Sequence, residues 1–269
     1  MNKILLIGCG HMGSALLKAW LQQKNIYFDV VDPLNYKIIN KKKYKKVKAY
    51  KSLLDIKNIS AIDIVIFAIK PQITTTVLKE ISFFNFNKKT IFVSIVAGIQ
   101  ISLFNKYIKK NNQFIRVMPN MPALVNKGMT CLVASKTVTT KNKNKINSLF
   151  LKVGKNLWLS KEKDINIVTA ISGSGPGYIF LLVDAFEKAA LKLGLNEKDS
   201  QELVYQTFFG SIALLLKNNN SALKLAQNIA VSGGTTEAAF KIFLDKKILH
   251  KTFERAINAA YKKSIKLSK

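Results

Sequence analysis

Lys3-Ile4-Leu5-Leu6-Ile7-Gly8-Cys9-Gly10-His11-Met12-Gly13 is the stretch whose reading decides the fold. Ile4 through Ile7 are apolar without alternation and stop at a glycine, which fits a parallel strand buried on both faces. Residues 14–21 then set Leu16, Leu17 and Trp20 at helical spacing. Strand, GxGxxG and helix in direct succession give an otherwise weak motif its context. Gly8 permits a tight turn, Gly10 lets the backbone come close to a pyrophosphate, and Gly13 allows the helix to pack closely on the strand. The helix start adds free N–H groups and the positive end of a dipole, so that Cys9, His11 and Met12 complete a phosphate-binding loop. A glycine-rich turn without a ligand is the competing reading, and the strand-to-helix context weighs against it.

Working outward, Tyr27-Phe28-Asp29-Val30-Val31-Asp32 reads as a second strand. Asp32 ends it about twenty residues past the glycine loop, where an acid accepts hydrogen bonds from an adenosine ribose. That leans towards NAD, whereas the nearby lysine run Lys41-Lys42-Lys43-Tyr44-Lys45-Lys46 would offset repulsion of a 2′-phosphate, so the cofactor is NADP or NAD. A solvated charged segment is the plainer reading of that run. Three further strands follow, at 63–69, 90–95 and 113–118. The first stops at Lys70-Pro71, because proline cannot donate to a ladder. Their exits carry Ala68, Ile69, Lys70 and Pro71, then Ala97, then Asn120, at the carboxyl edge where doubly wound sheets bind ligands. Residues 128–134 and 156–159 are expected to extend the sheet. The first domain, a Rossmann-type α/β doubly wound sheet, is expected over 1–159.

From 160 to 269 the periodicity is helical, and an all-α dimerisation domain is expected. Residues 164–171 suit a helix stopped by Gly173 and Gly175, with Ser174 as a cap and Pro176 in the first turn of the next helix. Ser172-Gly173-Ser174-Gly175-Pro176-Gly177-Tyr178 thus reads as a hinge between the halves. Residues 178–193 and 201–216 are apolar on more than one face, which a helical half of about 110 residues cannot bury alone. A homodimer through these helices follows. Val231-Ser232-Gly233-Gly234-Thr235-Thr236 opens another helix and reads as a second anion site, with a plain capped helix start as the alternative.

Composition narrows the classes further. The net charge of +28 invites a nucleic-acid reading, but Arg116 and Arg255 are the only arginines. Base-edge and bidentate phosphate recognition rests on arginine, so a lysine-rich solvated surface is preferred to a nucleic-acid partner. Cys9, Cys131, His11 and His250 are the only cysteines and histidines, which leaves no disulfide framework and no metal constellation. No uninterrupted apolar run reaches the roughly 18 residues of a membrane span. A cytoplasmic protein with no membrane partner is expected.

Taken together, these motifs resemble the pyrroline-5-carboxylate reductase family over essentially the whole length. The resemblance rests on Gly8-Cys9-Gly10-His11-Met12-Gly13, Ala68-Ile69-Lys70-Pro71-Gln72, Arg116-Val117-Met118-Pro119-Asn120-Met121-Pro122, 172–178 and Gly233-Gly234-Thr235-Thr236, in order. It implies NAD(P)H-dependent reduction of Δ1-pyrroline-5-carboxylate to L-proline, and a dimer open to higher assembly. It further implies a nicotinamide near Ile69, Lys70 and Asn120, and an imine carboxylate held at 231–236. Thr236 matches the family threonine that hydrogen-bonds the ring nitrogen. Three departures stand out: Val231-Ser232 in place of Ser-Pro, Gly177 in place of alanine, and Asn219 and its neighbours where some members carry glutamate. Another Rossmann-plus-helical imine reductase, or a β-hydroxyacid dehydrogenase using Lys70 as base, is the alternative enzyme.

Overall fold

The computed structural model describes residues 2–108 and 113–268. Its strands are β1 (Asn2–Ile7), β2 (Ile26–Val31), β3 (Val47–Tyr50), β4 (Ile64–Phe67), β5 (Ile91–Ser94), β6 (Gln113–Met118), β7 (Gly128–Ala134) and β8 (Gly154–Trp158). Among the described residues they form one eight-stranded sheet in the order β3-β2-β1-β4-β5-β6-β7-β8. The first six run parallel, β7 is antiparallel to β6, and β8 is parallel to β7. The order reverses at β1, so the crevice between the ends of β1 and β4 is the topological switch point.

The alternation of side chains along a strand explains why β1 is apolar throughout. Ile4 and Leu6 enter one core cluster with Leu16 and Trp20 of helix α1 (His11–Trp20). Leu5 and Ile7 enter the opposite cluster. All four strand residues are essentially inaccessible, as a strand covered on both faces requires. Helix α2 (Tyr36–Lys41) precedes β3. Helices α3 (Thr74–Ser82) and α4 (Ile101–Tyr107) cover the Leu5 face with Leu78, Ile81 and Phe104. Helix α5 (Thr140–Phe150) joins α1 on the other face, where Trp20 lies edge-on to Phe150 and donates its indole N–H to the Leu149 carbonyl at 2.9 Å.

Two features differ from the expectation. β3 is an additional strand directly after the lysine run, and Ala49 is its one buried residue, which leaves almost no apolar signal in the sequence. The helix expected to stop at Gly173 does not break cleanly: α6 (Ile165–Val168) winds into a π-turn over Thr169–Gly173, and α7 (Gly175–Lys192) follows directly. Ser174 has helical dihedrals (φ −86°, ψ −21°), so it continues the chain's helical path instead of capping it. Glu162–Lys192 is consequently long and apolar enough, by length and composition, to cross a membrane.

The chain divides into two compact units. One runs up to Ser174 and takes in the chain again from Ala260; the other is Gly175–Ala259. The sheet itself ends at Trp158, close to the expected boundary at 159, while 160–174 packs with the sheet unit through buried Ile165 and Ala170. The second unit holds α7, α8 (Glu197–Lys217), α9 (Ala222–Ile229), α10 (Thr235–Leu244) and the start of α11 (Ile248–Leu267). Its helices bury little: α7, α9 and α10 contain no fully buried residue, and α8 only Ser200 and Val204. Phe180, Leu181 and Phe209 are each more than half exposed.

Candidate functional site

The glycine loop is shaped by steric necessity. Gly8 has φ +90°, and a Cβ there would stand 2.5 Å from the Ala68 carbonyl oxygen. At Gly13 a Cβ would meet the Gly8 oxygen at 2.5 Å. These contacts press β1, the start of α1 and the Ala68-Ile69 turn against one another. Gly10 is different, because a Cβ built there meets nothing within 4 Å. Helix α1 opens at Gly10 without a side-chain cap and without an acid in its first turn. Open space and free N–H groups at the positive end of a helix dipole fit the pyrophosphate of a dinucleotide.

Asp32 follows β2 immediately beside this loop. Its Oδ2 accepts from the Cys9 N–H at 2.7 Å and from Asn35 Nδ2 at 3.2 Å. Its Oδ1 accepts from the N–H groups of Leu34 at 3.0 Å and Asn35 at 2.9 Å. Burial alone would push the carboxyl pKa up, yet these hydrogen bonds to the ionised form outweigh it and hold the group below its ordinary value. The neighbouring Cys9 thiol moves the other way, to about 11, chiefly through burial and then through the Asp32 charge, with Lys42 opposing.

The remaining expected cofactor residues follow neighbouring strands at the same edge. The Ala68 N–H donates to the Ile7 carbonyl at 2.8 Å, which fixes the β4 exit to β1. Lys70 and Pro71 are exposed at the following turn, and Ala97 is exposed after β5. Asn120, after β6, is largely buried, and its amide is engaged at both ends: Oδ1 accepts from the Met129 N–H at 2.8 Å, and Nδ2 donates to the Ser172 carbonyl at 2.9 Å.

Several supporting interactions were not legible in the sequence. Pro176 has no N–H to offer the Ser172 carbonyl four residues earlier, and Asn120 supplies the missing donor. Arg116 is buried and pairs with Glu162 at 3.0 Å, whose Oε1 also accepts from the Ile101 N–H at 2.8 Å. Asn166 accepts from the hydroxyls of Ser264 and Ser268, and Gln100 donates to the Ser268 carbonyl at 2.6 Å. Nothing in a one-dimensional pattern connects residues so far apart.

Within the second unit, 231–236 forms the entry to α10. Gly233 has φ +73°, and Gly234 is the N-cap without a side-chain cap bond. Val231, Ser232, Gly233 and Thr235 are exposed, and Thr236 is half-buried. The Gly233 N–H, expected to face an anion, donates to Glu237 Oε2 at 2.9 Å, and Lys241 approaches the same carboxylate at 3.7 Å.

A switch-point crevice, an uncapped glycine-loop helix and a separate helical unit define a dinucleotide-dependent oxidoreductase. Residues 3–98 match the family described as NADP oxidoreductase, coenzyme F420-dependent, and 162–267 match pyrroline-5-carboxylate reductase dimerisation. The chain is 35% identical to the pyrroline-5-carboxylate reductase of Haemophilus influenzae, across 97% of this chain and 96% of that one. Its fold is similar to the Coxiella burnetii pyrroline-5-carboxylate reductase (TM-score 0.89, 31% identity, 100% and 99% coverage). It is also similar to the Plasmodium falciparum pyrroline carboxylate reductase solved with NADP bound (TM-score 0.86, 30% identity, 100% and 98% coverage). The chain belongs to the pyrroline-5-carboxylate reductase family.

Proposed function

We infer that the chain reduces Δ1-pyrroline-5-carboxylate to L-proline with NADPH or NADH, the last step of proline synthesis. Family membership along the whole chain carries the reading, and the open, acid-free start of α1 supports it. The sheet domain, 1–159, binds the cofactor. The N–H groups of His11, Met12 and Gly13 hold the pyrophosphate over Gly10, on a loop shaped by Gly8 and Cys9 and closed at the β2 end by Asp32. Ala68, Ile69, Lys70, Pro71 and Ala97 border the nicotinamide, and Asn120 stands behind them. When bound, the reduced nicotinamide supplies the hydride.

We place dimerisation and substrate binding on the helical half, 160–269, of which Gly175–Ala259 is a compact unit of its own, and the apolar surface of α7 and α8 supports that role. Val231, Ser232, Gly233, Gly234 and Thr235 receive the carboxylate at the α10 entry, where it takes the place of Glu237 on the Gly233 N–H. Thr236 orients the ring nitrogen. A hydroxyl is far too weak an acid to be a free proton source near neutral pH, so with the iminium form, which already carries its proton, Thr236 only orients the ring nitrogen, and with the neutral imine it relays a proton drawn from solvent. The homodimer is the unit this surface calls for, and the cytoplasm is the compartment we assign.

The deciding experiment mixes purified protein with NADPH and Δ1-pyrroline-5-carboxylate. NADPH oxidation matched mole for mole by proline is expected; no proline, with turnover of a hydroxyacid instead, sinks the reading. Thr236→Ala should lower kcat by about ten- to a hundredfold while cofactor affinity stays within about twofold.

A further inference from the structure

Asp32 occupies the position at which an acid commonly reads the adenosine ribose, yet its acceptor capacity is already taken. A carboxylate offers about four lone-pair sites. The donors from Cys9, Leu34 and Asn35, the last contributing both its backbone N–H and its side-chain amide, fill all of them. The residue is only 7% exposed. A ribose diol reading both oxygens would have to displace the Asn35 side-chain amide from Oδ2 and a turn N–H, of Leu34 or Asn35, from Oδ1, so that each hydrogen bond gained replaces one lost. We propose that Asp32 is a positioning residue for the glycine loop, tying the end of β2 to the Cys9 peptide, and that it does not read the adenosine ribose. The inference rests on the dinucleotide site described under Proposed function. Asp32 then gives NADH no advantage over NADPH, and discrimination falls to groups beyond it.

The tether has a chemical reporter in Cys9, the residue whose N–H Asp32 holds. In Asp32→Asn one acceptor oxygen becomes an NH2 donor, so either the Cys9 bond or the 34–35 turn is lost. Equilibrium titration of the full-length protein with NADPH and NADH, followed by fluorescence, should show both affinities weakened by the same factor, about tenfold, with their ratio within about twofold of the unsubstituted protein. Maleimide labelling of Cys9 in the native state should accelerate several-fold. Asp32→Ser, which keeps an acceptor for the loop, should fall between the two and serves if Asp32→Asn does not fold. A selective loss of NADH affinity of about tenfold or more, with NADPH unchanged or tighter and Cys9 labelling unaltered, would overturn the proposal. If the unsubstituted protein binds neither dinucleotide, the cofactor reading fails, and the labelling comparison alone still decides whether Asp32 tethers the loop.

Discussion

Cys9 and Asp32 titrate in opposite directions although they are hydrogen-bonded neighbours. The Cys9 thiol, pushed to about 11, stays protonated near neutral pH and is a poor nucleophile. Ellman's reagent should therefore modify it in the native protein at least about a hundredfold more slowly than in the unfolded chain. For Asp32 the sign runs through the native state: its pKa is depressed, so it stabilises the fold above the ordinary carboxylate value near 4 and loses that contribution as pH falls through the native value. Urea denaturation between about pH 5 and pH 2 should show a shallower loss of stability in Asp32→Asn than in the parent. None of this is legible in one dimension. The glycine spacing places Asp32 beside the loop, but which donors take up its oxygens depends on backbone N–H groups that the sequence does not distinguish.

At the scale of elements, the helical path from α6 to α7 turns on a carbonyl and an amide. Proline and glycine read as a stop in the sequence, and the stop is weaker than expected because Asn120 satisfies the Ser172 carbonyl. Asn120→Ala orphans that carbonyl and the Met129 N–H together. A loss of about 2–4 kcal/mol in chemical denaturation is expected, and a change below about 0.5 kcal/mol would remove the residue's assigned part. The strands beside the site were legible because burial on both faces leaves continuous apolar runs, as in β1, β4 and β5. β3 was not, since an edge strand with one buried residue has no such run. The Val231-to-Thr236 loop was legible as a helix start, whereas the Glu237 carboxylate that accepts from the Gly233 N–H was not.

For the whole molecule, the unburied apolar faces of α7 and α8 call for a second copy of the chain. Phe180 is 62% and Leu181 69% exposed. Phe180→Glu together with Leu181→Glu should halve the mass measured by analytical ultracentrifugation at micromolar concentration; an unaltered mass would place the contact elsewhere. The return of α11 to the sheet unit has a separate consequence. The helical unit is joined to the sheet unit by two covalent crossings, after Ser174 and before Ala260, so it is an insertion and not an appendage. Residues 267 and 268 are secured there by the Gln100–Ser268 bond and by the Leu267 backbone, which lies so close to Gly98 that a Cβ on Gly98 would stand 2.5 Å from the Leu267 oxygen. A protease that severs the exposed Asn219-Asn220 turn therefore yields two fragments, each still holding a share of the sheet unit. They should elute as one particle under native conditions and separate only in denaturant, so that a nick visible on a denaturing gel leaves the particle whole.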